Sequence, residues 1–159
     1  MGDGITEEFV KILIDLPEAE DGVGTEGLWA VRLKEDLYEV RNSPWHTLEI
    51  NFCDVVRAVA TDESKNPVFI EVVRRGGHRS IHIIFFAMGL EMKEIVLGQV
   101  NALGGTYEGC NSELFAIDLK PGLDFDSVAD YLLECKEKGW LDVRYAPQPQ
   151  SRGTMELLN

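Results

Sequence analysis

The chain has 159 residues, 45% of them apolar and 27% charged, a composition that supports a packed core and excludes a disordered chain. Twenty-eight acidic residues against fifteen basic ones leave a formal net charge of −13. That balance disfavours nonspecific binding to nucleic acid or to an anionic membrane, since both require positive charge on the protein.

Taken in chain order, Glu8–Leu16 alternates Val10, Ile12, Ile14 and Leu16 on one face, with Phe9 and Leu13 on the other, and predicts a strand. The stretch PEAEDGVGTEG, residues 17–27, is rich in proline, glycine and acid and predicts a loop. Leu28–Leu33 and Leu37–Arg41 read as strands around the polar turn Lys34-Glu35-Asp36. Asn42-Ser43-Pro44 breaks the pattern, and His46–Ala60 is expected to hold one or two strands. Asp62–Pro67 is a turn and Val68–Arg74 another strand. Short strands with regular turn signals are the pattern of a small barrel or curled sheet.

The rhythm changes after Gly76-Gly77. Arg79–Phe86 reads as a strand, and FIEVVRRGGHRSIHIIFF as a hairpin that could span the boundary. Met92, Ile95, Val96, Val100 and Leu103 recur at helical spacing over Leu90–Leu103, and Gly104-Gly105 stop that helix. Thr106–Cys110 and Glu113–Leu119 flank Asn111-Ser112 as a second hairpin. A helix capped by Asp124 or Asp126 buries Val128, Tyr131, Leu132 and Cys135 and ends at Gly139, and Trp140–Ala146 is a last strand. The expected class is therefore α+β, a small curled β-sheet or barrel fused to a ferredoxin-like β-α-β-β-α-β half. The expected division is a β-rich subdomain over residues 1–77, an α+β subdomain over 78–147 and a tail over 148–159. The boundary-spanning hairpin argues that the whole folds as one cooperative unit.

Charge is unevenly spread. Residues 1–50 carry twelve acids and four bases, 51–105 six of each, and 106–159 ten acids and five bases, so acidic ends flank a balanced middle. The three cysteines, Cys53, Cys110 and Cys135, are scattered and form no CxxC or Cys/His cluster, which argues for reduced thiols rather than a disulfide framework or a zinc site. No leader segment and no apolar run of membrane-spanning length is visible, so a cytoplasmic location is expected.

Two groups of residues could carry function. Arg74, Arg75, His78 and Arg79 surround Gly76-Gly77, and with Trp45 they could hold a carboxylate or phosphate, because arginine forks pair bidentately with such groups. The bland counterpart is a turn whose arginines neutralise nearby acids, and neither GxxxxGK[ST] nor a strand-following GxGxxG is present. The second group is acidic: Glu18, Glu20, Asp21 and Glu26 in the first loop, and Asp126, Asp130 and Glu134 on the last helix. It is either a solvated face or a surface that steers onto a basic partner. His78 and His82 are too far apart along one strand to grip a single metal, while a His78 placed in the turn leaves the geometry open. GxSxG and HExxH are absent, and adjacent Cys53 and Asp54 would point to opposite faces of a strand, so no nucleophile is assembled. No cofactor or metal is expected.

The segments GLWAVRL (27–33), LYEVRNSPWH (37–46), NFCDVVRA (51–58), EVVRRGGHRSIHIIF (71–85), LGGTYEG (103–109) and LFAIDL (114–119) occur in an order that resembles a bacterial domain-of-unknown-function family, number four-two-six-five, over about residues 8–146. The resemblance implies a small bacterial cytosolic protein and brings no catalytic residues with it. By analogy of size and acidity alone, the expected function is a non-enzymatic protein-binding module: an immunity protein or antitoxin that covers a basic toxin or nuclease surface. The alternative is a regulatory domain that senses a small anion through the arginine cluster.

Overall fold

The computed structural model describes residues 8–16, 24–62 and 65–146. Five strands form the N-terminal half: β1 (Phe9–Asp15), β2 (Thr25–Lys34), β3 (Leu37–Val40), β4 (Val55–Val59) and β5 (Val68–Arg74). They close into a barrel in that order, antiparallel throughout except where β1 meets β5 in parallel, at Leu13 opposite Val68. Period-two alternation fills the interior with Ile12 and Ile14, Leu28 and Ala30, Tyr38 and Val40, and Val56 and Ala58. Each buried Ile, Leu or Val among them contributes roughly 1.5–3 kcal/mol relative to exposure. Asp36 takes φ 60° in the β2–β3 turn, a left-handed conformation that its short polar side chain tolerates.

One expectation for this half is corrected and another narrowed. The loop placed over 17–27 yields at Thr25, where β2 already pairs with Asp15; residues 17–23 lie outside the described chain. Over His46–Ala60 only Val55–Val59 is strand. The amides of Trp45, His46 and Thr47 donate to the Glu26 carboxylate, and that of Asn51 to Asp54, which withdraws them from strand pairing.

The second half comprises β6 (Arg79–Phe85), a 3-10 helix over Ala87–Met92, α1 (Lys93–Ala102), β7 (Thr106–Gly109), β8 (Leu114–Leu119), α2 (Phe125–Glu137) and β9 (Leu141–Tyr145). Its sheet is antiparallel, in the order β7-β8-β6-β9. One face carries Ile81, Ile83, Phe115 and Ile117 against Val96 and Val100 of α1 and Val128 and Leu132 of α2. The molecule is thus mixed α+β. β5 and β6 belong to different sheets, so Arg75–His78 is a crossing between the halves and not the expected hairpin turn. The helix expected over Leu90–Leu103 is divided: the α-helix begins only at Lys93, so Leu97 joins the core while Ile95 is 61% exposed. Of the two candidate caps of α2, Asp124 serves, accepting from Ser127 N–H at 3.4 Å and Ser127 Oγ–H at 2.7 Å.

Candidate functional site

Segment 41–54 leaves the barrel and lies across the face of the second sheet that the helices do not cover. Its course is fixed by three carboxylates. Glu26, 5% exposed, precedes Leu28 and Ala30 at period two and so points inward at the end of the barrel. There its two oxygens accept the N–H groups of Trp45 (2.6 Å), His46 (3.2 Å) and Thr47 (3.2 Å). Glu108 of β7 accepts Ser43 N–H at 3.0 Å, while the Glu108 carbonyl takes the Trp45 indole N–H at 3.1 Å. Asp54, 0% exposed, accepts from Asn51 N–H, Gly76 N–H and Arg75 Nη1, each at 2.9 Å.

His46, His78 and His82 all sit along this seam. His78 Nδ1 is 2.8 and 3.0 Å from the two carboxylate oxygens of Asp118, and its ring lies tilted against Phe52. Burial raises the Asp118 carboxyl above the usual range, and the hydrogen bond from His78 pulls the other way. His82 is 2% exposed; its Nε2–H donates to the Pro44 carbonyl at 2.8 Å. Burial pushes its pKa down to about 4. The His46 carbonyl accepts from Arg144 at 3.2 Å.

The anion cradle expected of Arg74, Arg75, His78, Arg79 and Trp45 is not assembled. Arg74 is exposed at the end of β5, and Arg75 is tied to Asp54 and to the Glu49 carbonyl. His78 faces Asp118, and Trp45 is held by Glu26 and Glu108. Arg79 sits over Phe125, its Cζ 3.5 Å from the ring centroid, and reaches the Ala146 carbonyl at 3.4 Å. The physical reason is that Arg75–His78 crosses between sheets, so successive side chains meet different buried acids. Arg79 also lines a cavity of about 330 Å³ with Lys120, Asp124 and Asp126, where the charges of both signs offset one another.

The acidic group is divided as well. Glu18, Glu20 and Asp21 lie outside the described residues. Glu26, expected on a solvent-facing loop, is corrected to a buried residue whose carboxylate is consumed by backbone amides. Asp126, Asp130 and Glu134 are exposed along one face of α2, with Glu137 continuing the stripe. The lysines that follow them are engaged elsewhere: Lys136 pairs with Asp142 at 3.1 Å, and Lys138 sits 4.7 Å over the Trp140 ring.

Two of the thiols are shifted away from the reactive thiolate form. Burial raises Cys53 and Cys135, and Cys53 is held at φ 71°. Among the described residues no cluster of three or more His, Cys, Asp or Glu side chains is arranged to hold a metal, and no helix is long and apolar enough to cross a membrane. Sequence reasoning missed Glu108 and Asp118 as seam residues, because a lone acid on a short strand has no distinguishing neighbour. Glu26 did carry a signal, its alternation with Leu28 and Ala30.

A family model described as a domain of unknown function (DUF4265) matches residues 26–143. A solved structure titled "Novel crystal structure of a hypothetical protein from Neisseria gonorrhoeae" is similar, with a TM-score of 0.76 and 15% identity, covering 92% of this chain and 100% of that one. At that identity the likeness speaks to the fold alone. Comparison with curated proteins gives no match.

Proposed function

We propose that this chain, which belongs to the DUF4265 family of domains of unknown function, is a non-enzymatic protein-binding module that docks a basic protein through the outer face of α2. The observation that carries this reading is the exposed stripe of Asp126, Asp130, Glu134 and Glu137 on a helix whose lysines are drawn to Asp142 and Trp140. Such a surface raises association rates with a partner of opposite potential, and the gain shrinks with salt. An immunity protein or antitoxin acting on a basic toxin or nuclease in the cytoplasm is the biological role that fits this chemistry. The second half we read as ferredoxin-like; the strand order β7-β8-β6-β9, with both helices packed on one face, supports that arrangement.

The test is affinity capture from the host cell at low and high ionic strength, with the native chain and with Asp130→Lys/Glu134→Lys. The expected result is a basic partner retained by the native chain, lost with salt and lost with the charge reversal. Capture that is indifferent to both salt and charge reversal overturns the reading.

A further inference from the structure

Ser80 and His82 alternate on β6 and share the face turned toward segment 41–54. Both are more than nine-tenths buried, 5% and 2% exposed. Each carries one polar atom that no group of the described protein satisfies, Ser80 Oγ and His82 Nδ1. The other ring nitrogen of His82 is committed. The Pro44 carbonyl can only accept, so Nε2 carries the proton and Nδ1 presents a bare lone pair. Buried lone pairs and hydroxyls of this kind are almost always hydrogen-bonded in native proteins, to the chain or to ordered water.

The surroundings suit water. Two residues apart on a strand, the Cα atoms are separated by about 6.6 Å at about 3.3 Å per residue. Residues two apart thus stand side by side on one face of the strand, where one small molecule can reach both side chains. Across the sheet, Ala116 stands opposite His82 and Asp118 opposite Ser80. On that face Ala116 presents only a methyl group beside the imidazole, and the Asp118 carboxylate, engaged by His78, stands in the same row. His46 and Arg144 are the charged or titratable groups that act on His82 from the segment and from β9. Neither is hydrogen-bonded to Nδ1.

We propose that one water molecule is bound between Ser80 and His82, donating to His82 Nδ1 and bonded to Ser80 Oγ, as a permanent part of the contact between the barrel and the second sheet. It fixes the imidazole in the tautomer that holds Pro44, and through Pro44 the path of segment 41–54.

The test is a high-resolution crystal structure of the full chain, together with thermal melting of Ser80→Ala. The expected result is density for one water within hydrogen-bonding distance of both atoms, and a lowered melting midpoint for S80A, because the water loses a partner. A dry contact, in which Ser80 bonds directly to His82 or to another protein group, overturns the proposal. So does a raised midpoint for S80A, since removing a bare buried hydroxyl stabilises a protein.

Discussion

The carboxylate of Glu26 accepts the backbone N–H of Trp45 at 2.6 Å, across nineteen residues of sequence, and holds His46 and Thr47 with the same group. A side chain at the end of the barrel thereby does what a neighbouring strand would otherwise do for segment 41–54. Replacing Glu26 by Ala leaves three amides without their acceptor in a largely buried site. Each stranded donor costs about 1–3 kcal/mol, so E26A is expected to lower unfolding free energy by at least about 3 kcal/mol in urea titrations. Glu26→Gln keeps one acceptor oxygen and should fall between the two. A loss below about 1 kcal/mol for E26A would show that water replaces the carboxylate.

Acid is expected to weaken the fold through His82. Its folded-state pKa lies at about 4, against 6.5 for the free side chain, with burial as the main cause. The unfolded chain therefore binds the proton first. Stability is full above about pH 6.5 and declines as pH falls toward 4, by up to about 3 kcal/mol from this residue. Asp118 works in the opposite sense, because its raised carboxyl takes up a proton earlier in the folded state. His82→Gln removes the titration while keeping a polar side chain at the seam. Its unfolding free energy should change less between pH 6.5 and 4 than that of the native chain, and equal slopes in the two proteins would refute the assignment to His82.

Most of the strands could be found in the sequence because alternation is a local signal: β1, β2, β3 and β5 lie where Ile12/Ile14, Leu28/Ala30, Tyr38/Val40 and the Val68–Arg74 run place them. Segment 41–54 could not be read in this way. Its apolar Ile50 and Phe52 look like strand residues, and the carboxylates that pull its amides out of pairing are distant in sequence or, like Asp54, look like surface acids. The arginine cluster is illegible for a related reason: adjacency along the chain is not adjacency in space, and the crossing between sheets sends Arg75 to Asp54 and His78 to Asp118. The acidic face of α2 was legible, since four-residue spacing on an amphipathic helix fixes which side chains point outward.

Gly76 is expected to resist enlargement. Its amide donates to Asp54 Oδ1 at 2.9 Å, and the backbone of Cys53 occupies the position a Cβ would take. The neighbour is main chain and cannot rotate aside, so Gly76→Ala should cost about 1–3 kcal/mol, the usual penalty for overpacking. Gly98, whose Cβ position is open, is the control. Gly98→Ala in α1 should be stabilising by roughly 0.5–1 kcal/mol through helix propensity. Chemical denaturation of both variants checks the contrast, and a neutral G76A would show that the crossing can shift away from Cys53.

The acidic face of α2 is expected to act on partners at no benefit to the fold. Asp126, Asp130 and Glu134 follow one another at i, i+4 and i+8, so each neighbouring pair is a like-charge pair that destabilises a helix by about 0.2–0.5 kcal/mol. Asp130→Lys turns both repulsions into attractions, the better of them with Asp126, where the acid lies N-terminal to the base. The variant should therefore melt slightly higher than the native chain, while its association with a basic partner slows most at low salt, where the Debye length is longest. A structural role for the stripe predicts the reverse: D130K would melt lower, and any loss of binding would follow the fraction unfolded and be independent of salt. Measuring the melting midpoint beside the association rate at two ionic strengths separates the two.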